Sequence, residues 1–530
     1  MMSSLTLDKY QAEAVASSAI TTLVMAGPGA GKTRLILGRL AYLLDSGVPP
    51  EEILILTFST RAAAELLSRA KDLGLEARIK TFHAAARALL KDLGQIPFRP
   101  ATEADRRQAL EEALEEEGHG MSRREKGQLL SLFSLIKAGS QEVSEELVRI
   151  FVRYNHSLEV KGLCDFDDFL LAATEVLKKR RSPFRAVIVD ELQDASYTDL
   201  AFLQALEPES YFLVGDPFQA IYGFRGAVGP ELFAYIQKSF PRVVCFDLKY
   251  SYRVPKTILD LARRLVGGLP LESRAKKGAV SGHLLGTARA EAVFIGKAME
   301  SLVGGRDFLA SEISRGQRGL AWGDFAVLVR VRALLSPLKD VLSGVGIPVC
   351  LRDESAERLR QKIKPLLSLN LAGLPPQDLE LQAKRQKIVF SSSEREYLQR
   401  LFPLVESAED LVHELLFQAE APDEPGAVSL TTVHAAKGLE FPVVFVAGFE
   451  EGLFPFELRG ESDEAEERRL AYVAFTRAKE RLFLTASAKR TIFGKRLSGR
   501  PSPFSRLLGV TFVREASKVV PKRPRQGSLF

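Results

Sequence analysis

Short, unbroken apolar runs recur along the chain: Thr22–Ala26, Ile53–Thr57, Val187–Val189 and Tyr211–Val214. After a long interval come Ala326–Val329, Val443–Ala447 and Arg481–Thr485. Each meets a loop and then residues with helical spacing, as buried strands of a parallel sheet do. The fold class predicted is α/β, with two such sheets in two domains. Ala84–Arg181 is rich in Leu, Ala and Glu at helical spacing and predicts an all-helical insertion, with the acids of Glu111–Glu117 on a solvated face. Leu351–Ala427, 77 residues, is a second helical interruption carrying the turn signals PPQ and EPG. From Pro501 the periodicity fades, and the chain reads as mobile from about Ser517.

Composition narrows the class. At 530 residues with 46% hydrophobic and 26% charged side chains, the chain has material for several cores and is neither disordered nor collagenous. Three distant cysteines with no Cys-x-x-Cys, and six histidines with no His-x-x-x-His, exclude a disulfide scaffold and a zinc ribbon. No apolar run reaches the ~18–20 residues of a membrane span, and the start lacks a secretion pattern, so a cytoplasmic protein is expected. The net charge of +6 is unevenly placed. Eleven Lys/Arg against one acid between Lys489 and Arg525 leave −4 for the remainder. That stretch suits a phosphate-backbone partner or is simply a solvated tail.

Ala26–Thr33 reads AGPGAGKT, after an apolar strand and before a helical run. This is the context a phosphate-binding loop requires. The loop Ala26, Gly27, Pro28, Gly29, Ala30 and Gly31 wraps a polyphosphate at a helix N-terminus through the backbone N–H groups of every residue but Pro28. Lys32 neutralises the β/γ-phosphates and the Thr33 hydroxyl ligates magnesium. A second carboxylate is needed at a neighbouring strand end, and VIVDELQD (Val187–Asp194) supplies it. Asp190 meets the metal and Glu191 orients or deprotonates the attacking water. ATP and Mg2+ are the expected cofactors. GDPFQAIYGFRGA places Gln219 just past a strand end, where an amide can sense the γ-phosphate. Tyr222 and Phe224 are placed to stack on bases of a single strand, or are core rings.

The chain resembles the UvrD/Rep/PcrA-type DNA helicases of superfamily 1. The resemblance rests on ordered strings: LDKYQAEAV, AGPGAGKTR, LTFSTRAAAEL, TFHAAARAL, DFDDFL, VDELQD, LVGDPFQAIYGFRGA, LKYSYRVPKTIL, TTVHAAKGLEFPVVFVAGFEEGLFP and EERRLAYVAFTRAKERL. It implies two RecA-like motor domains with helical insertions. It implies an adenine contact at Gln11, adenine stacking by Tyr252, Arg34 at the nucleotide border and a ribose contact at Glu440. Arg253 and Arg477 match the family's pair that reaches the γ-phosphate from the second domain, a task suited to a permanently charged, forked guanidinium. DNA contacts are implied at Phe58, Thr81, His83, Tyr222, Phe224, Arg225, Thr432, His434 and Lys437. Core packing is the alternative for Phe58 and His434, and Phe224 stands where the family often has Trp.

The expected organisation is residues 1–83 with 182–242 as the first motor domain and 84–181 as its insertion. Residues 243–350 with 428–510 form the second motor domain, interrupted by a reduced insertion at 351–427. A basic flexible tail, 511–530, ends in QGSLF. Gln526, Leu529 and Phe530 resemble the anchors of the peptide that bacterial repair proteins insert into the sliding clamp, with Gly527 departing from the usual Leu. The implied activity is ATP-driven 3′→5′ translocation on single-stranded DNA and unwinding of tailed duplexes. The alternatives are a translocase that strips proteins with little unwinding, or a clamp-tethered, ATP-gated DNA-binding module.

Overall fold

The computed structural model describes residues 5–94, 99–139, 144–268, 270–303, 319–369, 371, 373–418, 421–422, 424, 426–458 and 463–515. The chain divides into two units. The first comprises Met1–Val254, Gly268–Ala275 and Arg352–Asp423; the second comprises Pro255–Gly267, Lys276–Leu351 and Glu424–Phe530.

The first unit is built on a parallel six-stranded sheet ordered Arg78–Thr81, Ile53–Thr57, Ala186–Val189, Ser210–Gly215, Thr21–Met25, Val243–Asp247. The inner strands are mostly apolar, as strands covered by helices on both sheet faces are. Ile53–Thr57 is buried at all five positions. The second unit has a parallel seven-stranded sheet ordered Val349–Leu351, Val428–Thr432, Phe325–Val329, Phe441–Ala447, Ala478–Ser487, Ala279–Leu285, Phe512–Arg514. Two parallel α/β sheets are as expected, and the seven strands read from the sequence all form, most a residue or more longer than anticipated.

Three boundaries need correction. Val243–Asp247 pairs with Thr21–Met25 and is the sixth strand of the first sheet, so the first domain runs past residue 242 to Val254. Within 84–181, the helices Phe82–Asp92 and Asp168–Leu177 pack into the first sheet's core. The insertion's own core, around Phe133, Tyr154 and Leu110, draws on Ala101–Leu158. The tail does not begin at 511, because Phe512–Arg514 is an edge strand hydrogen-bonded to Ala279–Leu285. The basic stretch from 516 and the clamp-peptide residues Gln526, Leu529 and Phe530 lie outside the described residues.

The second interruption contains the helices Arg352–Ile363, Leu379–Arg385, Ser392–Leu401 and Ala408–Gln418. Leu359, Ile363, Leu398 and Leu411 on them are buried. The segment belongs to the first unit, where Lys80 donates to the Leu404 carbonyl at 3.4 Å and Thr81 Oγ1 to Glu414 Oε1 at 3.2 Å. Arg87 pairs with Asp410 and Lys91 with Glu406.

Candidate nucleotide and DNA site

Thr21–Met25 lies inside the first sheet, and its carboxyl end opens into Ala26–Gly31 ahead of the helix Lys32–Asp45. Backbone N–H groups and the helix dipole therefore converge where an open parallel sheet binds ligands. Gly29 has φ +71°, and a Cβ on it would lie 2.7 Å from both Arg253 Cβ and Ser251 Oγ. Only glycine fits there. Ser251 Oγ donates to the Pro28 carbonyl at 2.7 Å, and the Tyr252 N–H to the Gly29 carbonyl at 2.8 Å. The segment carrying Tyr252 and Arg253 is thus stitched to the phosphate loop. Both residues were expected on the second domain; they belong to the first unit.

Ala186–Val189 delivers Asp190, 6% exposed, and Glu191, whose backbone adopts the left-handed φ of 51°. Glu191 N–H donates to Asp190 Oδ1 at 2.9 Å. Lys32 Nζ stands 3.0 Å and 3.1 Å from the two Glu191 oxygens. Burial works against the Lys32 ammonium, but the charges of Glu191, Asp190 and Asp216 more than offset it and raise its pKa. Burial, then Glu191, pushes the Asp190 carboxyl up to about 7. A buried carboxylate crowded by another is a site where a divalent cation relieves charge, and the donor set of Asp190 with the Thr33 hydroxyl is the hard oxygen chemistry that magnesium takes. Bound there, the ion would neutralise phosphate charge.

Gln219 is buried and donates from Nε2 to Asp216 Oδ2 at 2.7 Å. Gln11 is fully buried in the helix Lys9–Val15. Its Oε1 accepts the Asp8 N–H at 3.1 Å and its Nε2 donates to the Ala30 carbonyl at 2.9 Å. One lone pair and one N–H of that amide remain for a base edge. Tyr252, 41% exposed, donates its hydroxyl to Asp8 at 2.7 Å, joining the ring to the same helix start. Its phenol is pushed up to about 12 by burial and by Asp8. Arg34 is exposed and donates to the Thr6 carbonyl.

The expected DNA contacts divide. Phe224 is 56% exposed, with Tyr222 at 6.0 Å in an edge-to-face pair. Phe58 is partly buried and stacked on Phe82, which makes it partly core. Thr81 is 3% exposed and hydrogen-bonded to Glu414, and His83 stacks on Phe166 at 4.3 Å with Nε2 3.5 Å from Asp167. These two side chains are covered by the second interruption and by the segment before Asp168–Leu177. The side chain of Arg225 lies outside the described residues.

In the second unit, Thr432 ends the strand Val428–Thr432, His434 and Lys437 lie in the turn that follows, and Glu440 pairs with Lys479 at 2.5 Å. Arg477 is 2% exposed. It donates to the carbonyls of Val473 and Leu439, each at 3.1 Å, and to Thr476 Oγ1 at 3.2 Å.

The sequence profile of the UvrD/REP helicase N-terminal domain matches residues 7–241, and that of the UvrD-like helicase C-terminal domain matches 387–489. The chain belongs to the UvrD-like helicases. It is 27% identical to the ATP-dependent DNA helicase PcrA of Staphylococcus aureus strain MRSA252, over 94% of this chain and 85% of that protein. The PcrA of Staphylococcus epidermidis strain ATCC 35984 is 26% identical over 94% and 86%. The alignments run over 635 and 641 positions, longer than this 530-residue chain, so both relatives carry segments it lacks. This UvrD-like helicase places Lys32, Asp190, Glu191, Gln219 and Arg253 on one unit around one loop. Sequence reading missed Gln193, Asp216 and Ser251, whose contacts span tens to hundreds of residues. It also missed Glu406, Asp410 and Glu414, whose four-residue spacing resembles an ordinary solvated face.

Proposed function

We propose that the protein is an ATP-driven motor that moves 3′→5′ along single-stranded DNA and unwinds tailed duplexes in repair, recombination or replication on the nucleoid. One observation carries this reading. Gln219, buried beside the phosphate loop, and Phe224, more than half exposed, lie five residues apart on one segment. A change at the γ-phosphate therefore reaches a base-stacking ring without crossing another element. Lys32 holds phosphate charge, Glu191 accepts the proton of the attacking water, and Arg253 stabilises the charge on the transferred group, the role the resemblance also gives Arg477. Asp190 and Thr33 hold the magnesium.

Strand displacement on duplexes with 3′ or 5′ tails, beside ATPase with and without single-stranded DNA, tests the reading. Unwinding of 3′-tailed duplex alone, with DNA-stimulated hydrolysis, is expected; DNA-independent ATPase would overturn it. A second reading, translocation that displaces proteins with little unwinding, is favoured by the second interruption, which is short and belongs to the first unit. DNA-stimulated ATPase without strand displacement would select it. We also propose that QGSLF docks on the sliding clamp. Deleting Gln526–Phe530 abolishes co-elution with the clamp if that is so, and leaves it unchanged if not.

A further inference from the structure

Gln193 is fully buried between the carboxyl ends of two neighbouring strands, Ala186–Val189 and Ser210–Gly215. Its amide has one orientation that suits its neighbours. The NH2 donates to Glu191 Oε2, and the carbonyl oxygen accepts the Asp216 N–H at 2.9 Å. Reversed, an oxygen would face the carboxylate and an NH2 would face an N–H. Asp216, itself 1% exposed, continues the series. Its Oδ1 accepts the Phe218 N–H at 3.0 Å and its Oδ2 accepts Gln219 Nε2 at 2.7 Å. At the other end Lys32 Nζ rests on both Glu191 oxygens. Five residues, Lys32, Glu191, Gln193, Asp216 and Gln219, thus form one hydrogen-bonded series from the phosphate loop to the γ-phosphate sensor.

Two backbone features show that the arrangement is constrained. A Cβ on Gly215 would lie 2.8 Å from Gln193 Oε1, 3.0 Å from Phe233 Cζ and 3.1 Å from Leu192 Cβ, so the lack of a side chain there makes room for the amide. Glu191 has φ 51°, a conformation that an L-residue of this kind keeps only where the surrounding structure over-determines it.

We propose that Gln193 is a positioning residue that aims the Glu191 carboxylate and ties it to Gln219, so that the water-activating group and the γ-phosphate sensor shift as one. This deepens the reading of the site as an ATPase and rests on it. In hydrolysis the water's proton passes to Glu191 while its oxygen bonds the γ-phosphorus and the bond to the bridging oxygen of ADP breaks. Gln193 exchanges no atom in the step. It sets the direction of the carboxylate, and through Asp216 it couples that direction to the segment bearing Phe224.

The test uses full-length protein, an oligo-dT strand and three variants: Gln193→Met, which keeps the length but removes donor and acceptor, Gly215→Ala, and the double variant. For Gln193→Met, DNA-stimulated kcat is expected to fall by roughly tenfold or more, with the KM for ATP within about threefold, as for an interaction that acts in the chemical step. Gly215→Ala reproduces this fall in kcat at near-constant KM, and the double variant is no slower than Gln193→Met. A wild-type kcat in Gln193→Met, or a loss confined to KM, overturns the proposal. If Gln193→Met does not fold, Gln193→Asn, too short to reach both partners, is judged by the same criteria. Absence of ATPase in the unmodified protein would instead sink the underlying assignment of function.

Discussion

Replacing Gly29 by alanine tests whether the Tyr252–Arg253 segment belongs to the phosphate loop. The new Cβ would stand 2.7 Å from Arg253 Cβ and Ser251 Oγ and 3.1 Å from the Arg253 N. Carbon–carbon contact settles at ~3.5 Å, so the two segments must part by about 0.8 Å. That motion breaks the bonds to the Pro28 and Gly29 carbonyls, 2.7 Å and 2.8 Å long, at about 1 kcal/mol each. Holding alanine at φ +71° adds roughly 1–2 kcal/mol. The sum, about 3–4 kcal/mol, falls on the arrangement that holds nucleotide, and at 1.4 kcal/mol per decade it corresponds to a loss of roughly two to three orders of magnitude in kcat/KM for ATP. Steady-state ATPase with saturating oligo-dT measures it, with circular dichroism to show that the fold survives. Ser251→Ala, which removes a single hydroxyl bond, should cost about tenfold or less. If Gly29→Ala stays within fivefold of the parent, the contact between these segments plays no part in binding.

Phe224→Ala should weaken half-maximal stimulation by single-stranded DNA roughly 5- to 150-fold, the worth of one to a few kcal/mol of base stacking, while hydrolysis without DNA is retained; fluorescence anisotropy with labelled oligo-dT provides the check. Arg477→Ala should lower DNA-stimulated kcat by about 10³-fold or more, and its thermal transition should also fall because the Val473 and Leu439 carbonyls lose their donor. Full turnover in that variant would refute its role. The pH dependence of the first unit's thermal transition should be steeper than that of Glu414→Gln. Burial raises the Glu414 and Asp199 carboxyls. Burial opposes the His83 charge, but the hydrogen bond and charge of Asp167 outweigh it and raise that group too. Groups raised in the folded state contribute stability that is full below their unfolded pKa and lost as pH rises through the folded one, so the parent should lose stability from pH 5 to 8 relative to the variant. Parallel profiles would contradict the burial of Glu414 against Thr81.

Local chemistry was legible without coordinates. The phosphate loop is eight contiguous residues, its strand and helix are its immediate neighbours, and Asp190 and Glu191 mark themselves by adjacency at a strand end. Ile53–Thr57 could be read because four of its five positions are apolar, as a strand covered on both faces favours. Among the strands that escaped notice, three have weaker signals for physical reasons. Val243–Asp247 is an edge strand with no fully buried residue, and Phe512–Arg514 has two of its three positions exposed. Ala279–Leu285 carries Gly282 and His283 within it. What the tertiary structure alone decided is which distant segments became neighbours. It placed Tyr252 and Arg253 with the phosphate loop, set Gln193 between Glu191 and Asp216, and turned Glu414 inward onto Thr81, 333 residues away. Adjacency along the chain constrains a turn or a strand, whereas pairing across hundreds of residues follows from how the sheet orders its strands and what then packs on it, and no run of residues records that.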